Sequence, residues 1–214
     1  MRSVTRGLTQ LRPHGRCTSI GGVTVTLTTS ESAPGTAEAD VLVIGVVQTP
    51  DGPAAAPGAD GVDDALGGTL TATLSALGAT GEADELIKIP GGGKLPATVV
   101  VAVGLGSAPE GGAPFDAERL RRAAGTALRD LAGNKLGVRN GQASKAVALA
   151  LPAGAPAEAE AVATGALLGA YTYRRYRSTP AINVVLTLLT REDNVDAVLT
   201  NQTVRDVYLG KRAA

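Results

Sequence analysis

Residues 87–106 read I-K-I-P-G-G-G-K-L-P-A-T-V-V-V-A-V-G-L-G: three glycines and a lysine ahead of a valine run, with a second glycine pair behind it. Glycine-rich loops beside strands often cradle phosphate, so this stretch separates a nucleotide-binding fold from a plain strand, turn and strand. A P-loop requires G-x-x-x-x-G-K followed by Ser or Thr, whose hydroxyl serves magnesium. Here Gly93-Lys94 is followed by Leu95, and Lys88 stands where the first glycine belongs. Pro96 and a valine strand come next, not a helix. A dinucleotide fingerprint requires G-x-G-x-x-G opening directly into a helix. Gly104-Leu105-Gly106 has Pro109 at the third glycine position. The residues therefore predict a hairpin turn at Gly91 to Gly93 and a strand exit at Gly104 to Gly106.

Outward from this hairpin the pattern alternates between strands and helices. Val23, Val25 and Leu27 alternate with threonines, as in a half-buried strand. Val41 to Val47 is almost wholly apolar and β-branched, which predicts a strand buried on both faces and ended by the turn Pro50-Asp51-Gly52-Pro53. Leu66, Leu70, Leu74 and Leu77 follow a helical period that stops at Gly78. Glu85 to Ile89 and Thr98 to Val103 are strands. Asp116 caps a helix, with Phe115 placed to pack back on Leu120; Ala124, Ala127 and Leu131 share its buried face, and Gly133-Asn134 closes it. Ala146 to Leu151 is a strand, Glu158 to Tyr176 a small-residue helix, and Ile182 to Leu189 a last strand. Gly165 and Gly169, four apart, allow a neighbour to approach that helix closely. The order implies an α/β sandwich of three layers, a mixed β-sheet flanked by helices.

Composition narrows the function classes. The 214 residues carry 44% hydrophobic but only 2% aromatic side chains, so the core is built from Ala, Val, Leu and Ile. Twenty basic residues balance twenty acidic ones, which leaves no global field for nucleic acid or anionic lipid. Apolar runs such as Val99 to Val103 are far below the roughly 20 residues of a membrane helix. The single cysteine, Cys17, excludes an internal disulfide, and the single histidine, His14, excludes a His-based triad or zinc cluster. Residues 1–25, with Arg2, Arg6, Arg12 and Arg16, read as a disordered or misassigned leader. These features predict a cytoplasmic protein.

The remaining chemistry-bearing groups have ordinary readings. Asp63-Asp64, Glu82/Asp84/Glu85, Glu158/Glu160 and Glu192/Asp193/Asp196 lie at helix starts or loops, where acids stabilise free amides or solubilise the surface. Arg174, Arg175 and Arg177 suit a cationic helix C-terminus, and nucleic acid is not expected there. No Ser sits in G-x-S-x-G. No catalytic, cofactor-binding or metal residue is assigned.

Four ordered segments carry a resemblance: DVLVIGVVQTPDG from Asp40, LSALGATGEADELIKIPGGGKLPATVVVAVGLG, FDAERLRRAAGTALRDLAG and EAVATGALLGAYTYRRYRS. Over about Thr26 to Leu189 the chain resembles the N-terminal domain of the leucyl (cytosol) aminopeptidases, peptidase family M17. The resemblance implies an α/β domain related to macro domains, placed before a larger catalytic domain in cytosolic hexamers. It further implies that two divalent metals, zinc or manganese, cut N-terminal residues such as leucine from peptides, and that their ligands belong to the catalytic domain. No family catalytic residue maps onto this sequence. The expected organisation is leader 1–25, aminopeptidase N-terminal domain 26–190 and an atypical tail 191–214. In that tail N-Q-T-V-R-D-V-Y-L-G resembles the C-terminal tip of some ATP-binding cassette subunits, which without a P-loop implies no ATPase. The chain is thus expected to be a non-catalytic domain, from a truncated or split product, partnered by a catalytic domain in cis or in trans. The alternative is a stand-alone macro-like module for a nucleotide such as ADP-ribose, touching it through Gly91 to Gly93 and Gly104 to Gly106.

Overall fold

In the computed structural model, which describes residues 25–133, 136–137, 144–170, 183–201 and 204, the glycine-rich turn joins two antiparallel strands. These are β4 (Leu86–Pro90) and β5 (Val99–Ser107), paired from Pro90↔Val99 to Leu86↔Val103. The other strands are β1 (Val25–Ser30), β2 (Val41–Thr49), β3 (Gly52–Ala55), β6 (Ser144–Ala150) and β7 (Asn183–Leu189). The sheet runs β1-β7-β6-β2-β5-β4, with β3 added to β2. Strands β1, β7, β6, β2 and β5 are parallel to their neighbours, whereas β3 and β4 run antiparallel. The sheet is mixed, as the sequence implies.

Its register follows from the period of two in a strand. Val41, Val43 and Val47 of β2, Val101, Val103 and Leu105 of β5, and Val147 and Leu149 of β6 enter one core. That core is completed by α3 (Ala117–Gly133) and α4 (Pro156–Ala170). Leu42, Ile44, Val46, Val100, Ala102, Ala148 and Ala150 point to the other side, where α1 (Val62–Ala65) and α2 (Leu70–Ala76) cover them. Each fully buried Val or Leu of this sort stabilises the fold by roughly 1.5–3 kcal/mol relative to exposure. The result is three layers, helices on both faces of one sheet.

Helix α4 is buried nearly all round because α3, β1, β7 and α5 (Val195–Thr200) all press on it. Only small residues permit this. A Cβ on Gly165 would lie 2.1 Å from the Arg121 carbonyl oxygen, and one on Gly169 would lie 2.3 Å from that of Gly125. The two helices therefore meet backbone to backbone, as the Gly165/Gly169 spacing implies.

Several boundaries differ from the sequence reading. The leucine period 66–77 is not one helix. Gly67 and Gly68 adopt φ of 79° and 73°, splitting it into α1 and α2, and Leu77 falls beyond the helix, half exposed. Gly52–Ala55 returns as β3 after the proline turn, a strand the sequence reading placed in a loop. β5 does not exit at Gly104 but continues through Gly106 to Ser107. Helix α4 begins at Pro156 rather than Glu158, because proline suits a first turn whose amide has no helical partner. Its extension over Tyr171 to Tyr176 lies outside the described residues, as do residues 1–24 and Arg174, Arg175 and Arg177. The core continues past residue 190: Asn194, Val198 and Val204 are all buried.

Candidate functional site

Open α/β sheets admit ligands at the carboxyl ends of their parallel strands, where helix N-termini present free amides. Both α3 and α4 begin at that edge. At α3, Asp116 Oδ2 accepts from the Arg119 amide at 2.9 Å, the cap its sequence position implies. At α4, the Glu158 carboxylate folds back on the turn that precedes it. Its Oε2 accepts from the amides of Gly154 and Ala155, each at 3.0 Å, and its Oε1 accepts from the Phe115 amide at 2.9 Å. Such a reach-back from the third helical residue satisfies donors the helix cannot. Here it also ties the two helix starts together.

The loop between β6 and α4 is held from its other side as well. Thr190 Oγ1 donates to the Ala153 carbonyl at 2.8 Å, and Asn194 Nδ2 donates to the carbonyls of Ala153 and Gly154 at 2.9 and 3.3 Å. Among the described residues no buried side-chain nitrogen or oxygen lacks a partner. At this edge the chain supplies its own anion, Glu158, where an open site would present free amides.

The two glycine groups lie at opposite ends of β5, roughly 15–20 Å apart at the rise of a strand, and cannot share a ligand. A Cβ at Gly91 would come within 2.0 Å of the Ala97 carbonyl oxygen, and one at Gly104 within 1.8 Å of that of Glu82. Both glycines are therefore required by the chain's own close approaches. Lys94 Nζ donates to the Leu66 carbonyl at the end of α1, 2.9 Å away. The loop before β4 docks over β5 through Asp84 N–H to Gly104 O and Gly106 N–H to Gly81 O, at 3.0 and 2.8 Å.

The acidic clusters dissolve into separate duties. Asp63 Oδ1 accepts from the Leu70 amide at 2.8 Å and starts α2. Glu85 Oε2 accepts from the amides of Thr80 and Gly81 at 2.9 and 2.8 Å. Asp84 pairs with Arg122. Glu192, Asp193 and Asp196 are exposed. No group of three His, Cys, Asp or Glu able to hold a metal occurs among the described residues, so these side chains do not fit a two-metal centre. His14 and Cys17 lie outside the described residues.

One cluster escaped the sequence reading. Lys145 is fully buried at the start of β6, and its Nζ donates to the Leu131 carbonyl near the C-terminus of α3, 2.8 Å away. Loss of hydration lowers its pKa from the usual 10.5 to about 8, against the opposite pull of Asp130 and Asp40 and with a push from Lys88. Lys88 Nζ lies 2.7 Å from Asp130, and Asp40 Oδ2 accepts from the Ala146 amide at 2.9 Å. The group sits at the amino ends of the parallel strands, away from the edge where ligands enter. Its available signal was the alternation Lys145, Val147, Leu149, which places the lysine on a core face.

Residues 43–180 match the family model described as "Cytosol aminopeptidase family, N-terminal domain". The chain belongs to the cytosol aminopeptidase family. Relatives in the family include the "Probable cytosol aminopeptidase" of Streptomyces griseus, 49% identical over 151 residues, and that of Streptomyces coelicolor, 48% identical over 155. These alignments cover 71% and 72% of this chain but only 27% and 28% of the relatives' length. Among solved structures, a mutant tomato leucine aminopeptidase superposes with a TM-score of 0.57 at 19% identity, covering 91% of this chain and 38% of that one. An Oceanobacillus iheyensis macrodomain mutant superposes with a TM-score of 0.52 at 15% identity, covering 93% and 95%. These two likenesses establish the fold, a macro-like α/β sandwich. No helix among the described residues is long and apolar enough to cross a membrane.

Proposed function

We propose that this chain acts as the non-catalytic N-terminal domain of a leucyl aminopeptidase, a cytoplasmic scaffold that packs on a catalytic domain supplied in cis or in trans. The observation that carries the reading is where the match falls. It lies on the family's N-terminal domain model, and the chain spans little more than a quarter of the Streptomyces relatives. The engaged state of the carboxylates supports it: Asp63, Glu85, Asp116 and Glu158 hold backbone amides rather than converging on one point. In this reading the two divalent metals, zinc or manganese, belong to the catalytic domain, which releases N-terminal residues from peptides. The domain described above contributes surface and positioning, including hexamer assembly. The test is direct. The purified chain, supplied with manganese and a chromogenic leucine amide, releases no product, and it co-elutes with the catalytic portion of the Streptomyces griseus relative. Leucine release by the chain alone overturns the proposal.

A stand-alone macro-like nucleotide module is the second reading, favoured by one observation: nearly the whole macrodomain finds a counterpart here. Against it stands Glu158, whose carboxylate holds three amides at the edge where a phosphate would enter. Calorimetry with ADP-ribose separates the two readings. Silence leaves the first standing, and saturable heat favours the second.

A further inference from the structure

An open groove of about 390 Å³ runs along the outer face of α3 and α4, lined by Arg121, Arg122, Arg129, Leu168 and Asp84. Its floor is the glycine seam between the two helices, Gly125, Gly165 and Gly169, with Thr126 beside it. Three guanidinium groups meet two carboxylates, Asp84 in the lining and Glu118 beside it. Arg122 pairs with Asp84 and Arg121 with Glu118, both at exposed positions where ion pairs are weak and exchange partners readily. Arg129 is exposed and has no carboxylate partner among the described residues. The groove lining therefore carries more positive than negative charge, on a chain that is neutral as a whole.

The same contacts fix where the apolar element lies. Gly165 abuts Arg121 and Gly169 abuts Gly125, so α3 and α4 run side by side in that register. Leu168, 50% exposed, then stands level with the middle of the stretch between Arg121 and Arg129. Those two arginines are eight residues apart, about 12 Å along a helix. An aliphatic side chain is thus flanked by cations at a defined spacing. A half-exposed leucine alone is ordinary. Placed between arginines over a floor of glycines, it selects an occupant by pattern.

We propose that the α3–α4 groove docks an acidic segment of a protein partner, with carboxylates about 12 Å apart meeting Arg121 and Arg129 and an aliphatic side chain between them packing on Leu168. Nucleic acid fits less well. The chain lacks the net positive charge that backbone binding exploits, and the groove has no aromatic ring for base stacking. This inference does not depend on the aminopeptidase reading.

The probe is a fluorescein-labelled helical peptide of Glu-Ala-Ala-Leu repeats, whose acids recur at four and eight residues and whose leucines fall between them. Anisotropy titrations on the full chain compare it with Lys-Ala-Ala-Leu and Gln-Ala-Ala-Leu versions. The acidic peptide saturates, and R121E combined with R129E weakens it by at least about tenfold. L168S weakens it by at least about threefold, and raising salt from about 0.05 to about 0.5 M weakens it further. Circular dichroism melts that match the unaltered chain show that the variants fold. The proposal is overturned if the acidic peptide does not saturate, or if R121E/R129E binds it equally. It is also overturned if the Gln or Lys version binds as tightly. Displacement by oligothymidylate would mark a general polyanion surface instead, and salt-sensitive self-association abolished by R121E/R129E would make the occupant a second copy. Either result refutes the assignment.

Discussion

Replacing Gly165 with alanine tests how closely α3 and α4 approach. The added carbon would lie 2.1 Å from the Arg121 carbonyl oxygen and 2.8 Å from its carbonyl and α carbons. Ordinary contact begins near 3.4 Å, so the helices must part by roughly 1 Å. Overpacking of that sort costs about 1–3 kcal/mol, and the strain falls on backbone, which yields less than a side chain. Parting also loosens Ala123, Ala127, Val162 and Ala166, all fully buried in the same core. Alanine's better helix propensity returns about 1 kcal/mol. With the contact borne by backbone the overpacking cost falls at the top of that range, so the net expectation for G165A is a loss of about 2 kcal/mol, a fall in melting temperature of roughly 4–8 °C for a chain of this size. G169A, with its carbon 2.3 Å from the Gly125 oxygen, behaves alike. G125A is the internal control. Its carbon meets the Gly165 oxygen at 3.3 Å, which a small adjustment absorbs, so propensity offsets the contact and stability stays within about 0.5 kcal/mol. Urea unfolding followed by far-ultraviolet circular dichroism reads all three. G165A as stable as the parent, or G125A as damaging as G165A, would refute the backbone contact.

Three further outcomes follow from single side chains. E158A strands three amides that now share a carboxylate and costs about 3 kcal/mol in urea unfolding, whereas half-buried Glu160, with no such bonds, loses under about 0.5 kcal/mol on the same change. Equal effects would remove Glu158 from its linking role. Lys145, with its pKa lowered to about 8, binds fewer protons folded than unfolded between pH 8 and 10.5. Its contribution to stability therefore rises with pH through that window, by on the order of 3 kcal/mol, and the rise is absent in K145M. Parallel pH curves for the two proteins would refute the buried-lysine account. D116A removes the acceptor for the Arg119 amide and costs about 1 kcal/mol, measured by thermal melts, while D193A is silent.

The fold was legible where period and burial coincide. The alternation of Val41 to Val47 divides cleanly between the two cores, and the Asp116 cap with Phe115 and Leu120 reads the same in sequence and structure. Legibility failed where long-range packing overrides local pattern. Gly67 and Gly68 break a leucine period that continues smoothly through them. Gly104 looks like a strand end, yet β5 runs on because a neighbouring loop needs the missing Cβ. β3 pairs with β2 through a proline-containing stretch whose composition signals only a turn. At the candidate site, the sequence showed Glu158 as one acid among several at helix starts. That its carboxylate also reaches Phe115, 43 residues away, depends on α3 and α4 starting side by side, which no local spacing encodes. The groove was hidden for the same reason: Arg121 and Arg129 recur on one helix, but Leu168 lies on another and is joined to them only by the glycine seam.

The position of Glu158 also bears on what this fold can be asked to bind. A phosphate arriving at the start of α4 must displace a carboxylate that is tethered to the same turn, three residues from Ala155 and four from Gly154. A tethered group competes at a high effective concentration, so a free anion at ordinary concentrations loses the exchange. Displacement would also break the bond to Phe115 and uncouple the start of α3 from that of α4. At the start of α4, then, an incoming anion meets a carboxylate already in place, whereas the groove between α3 and α4 stands open.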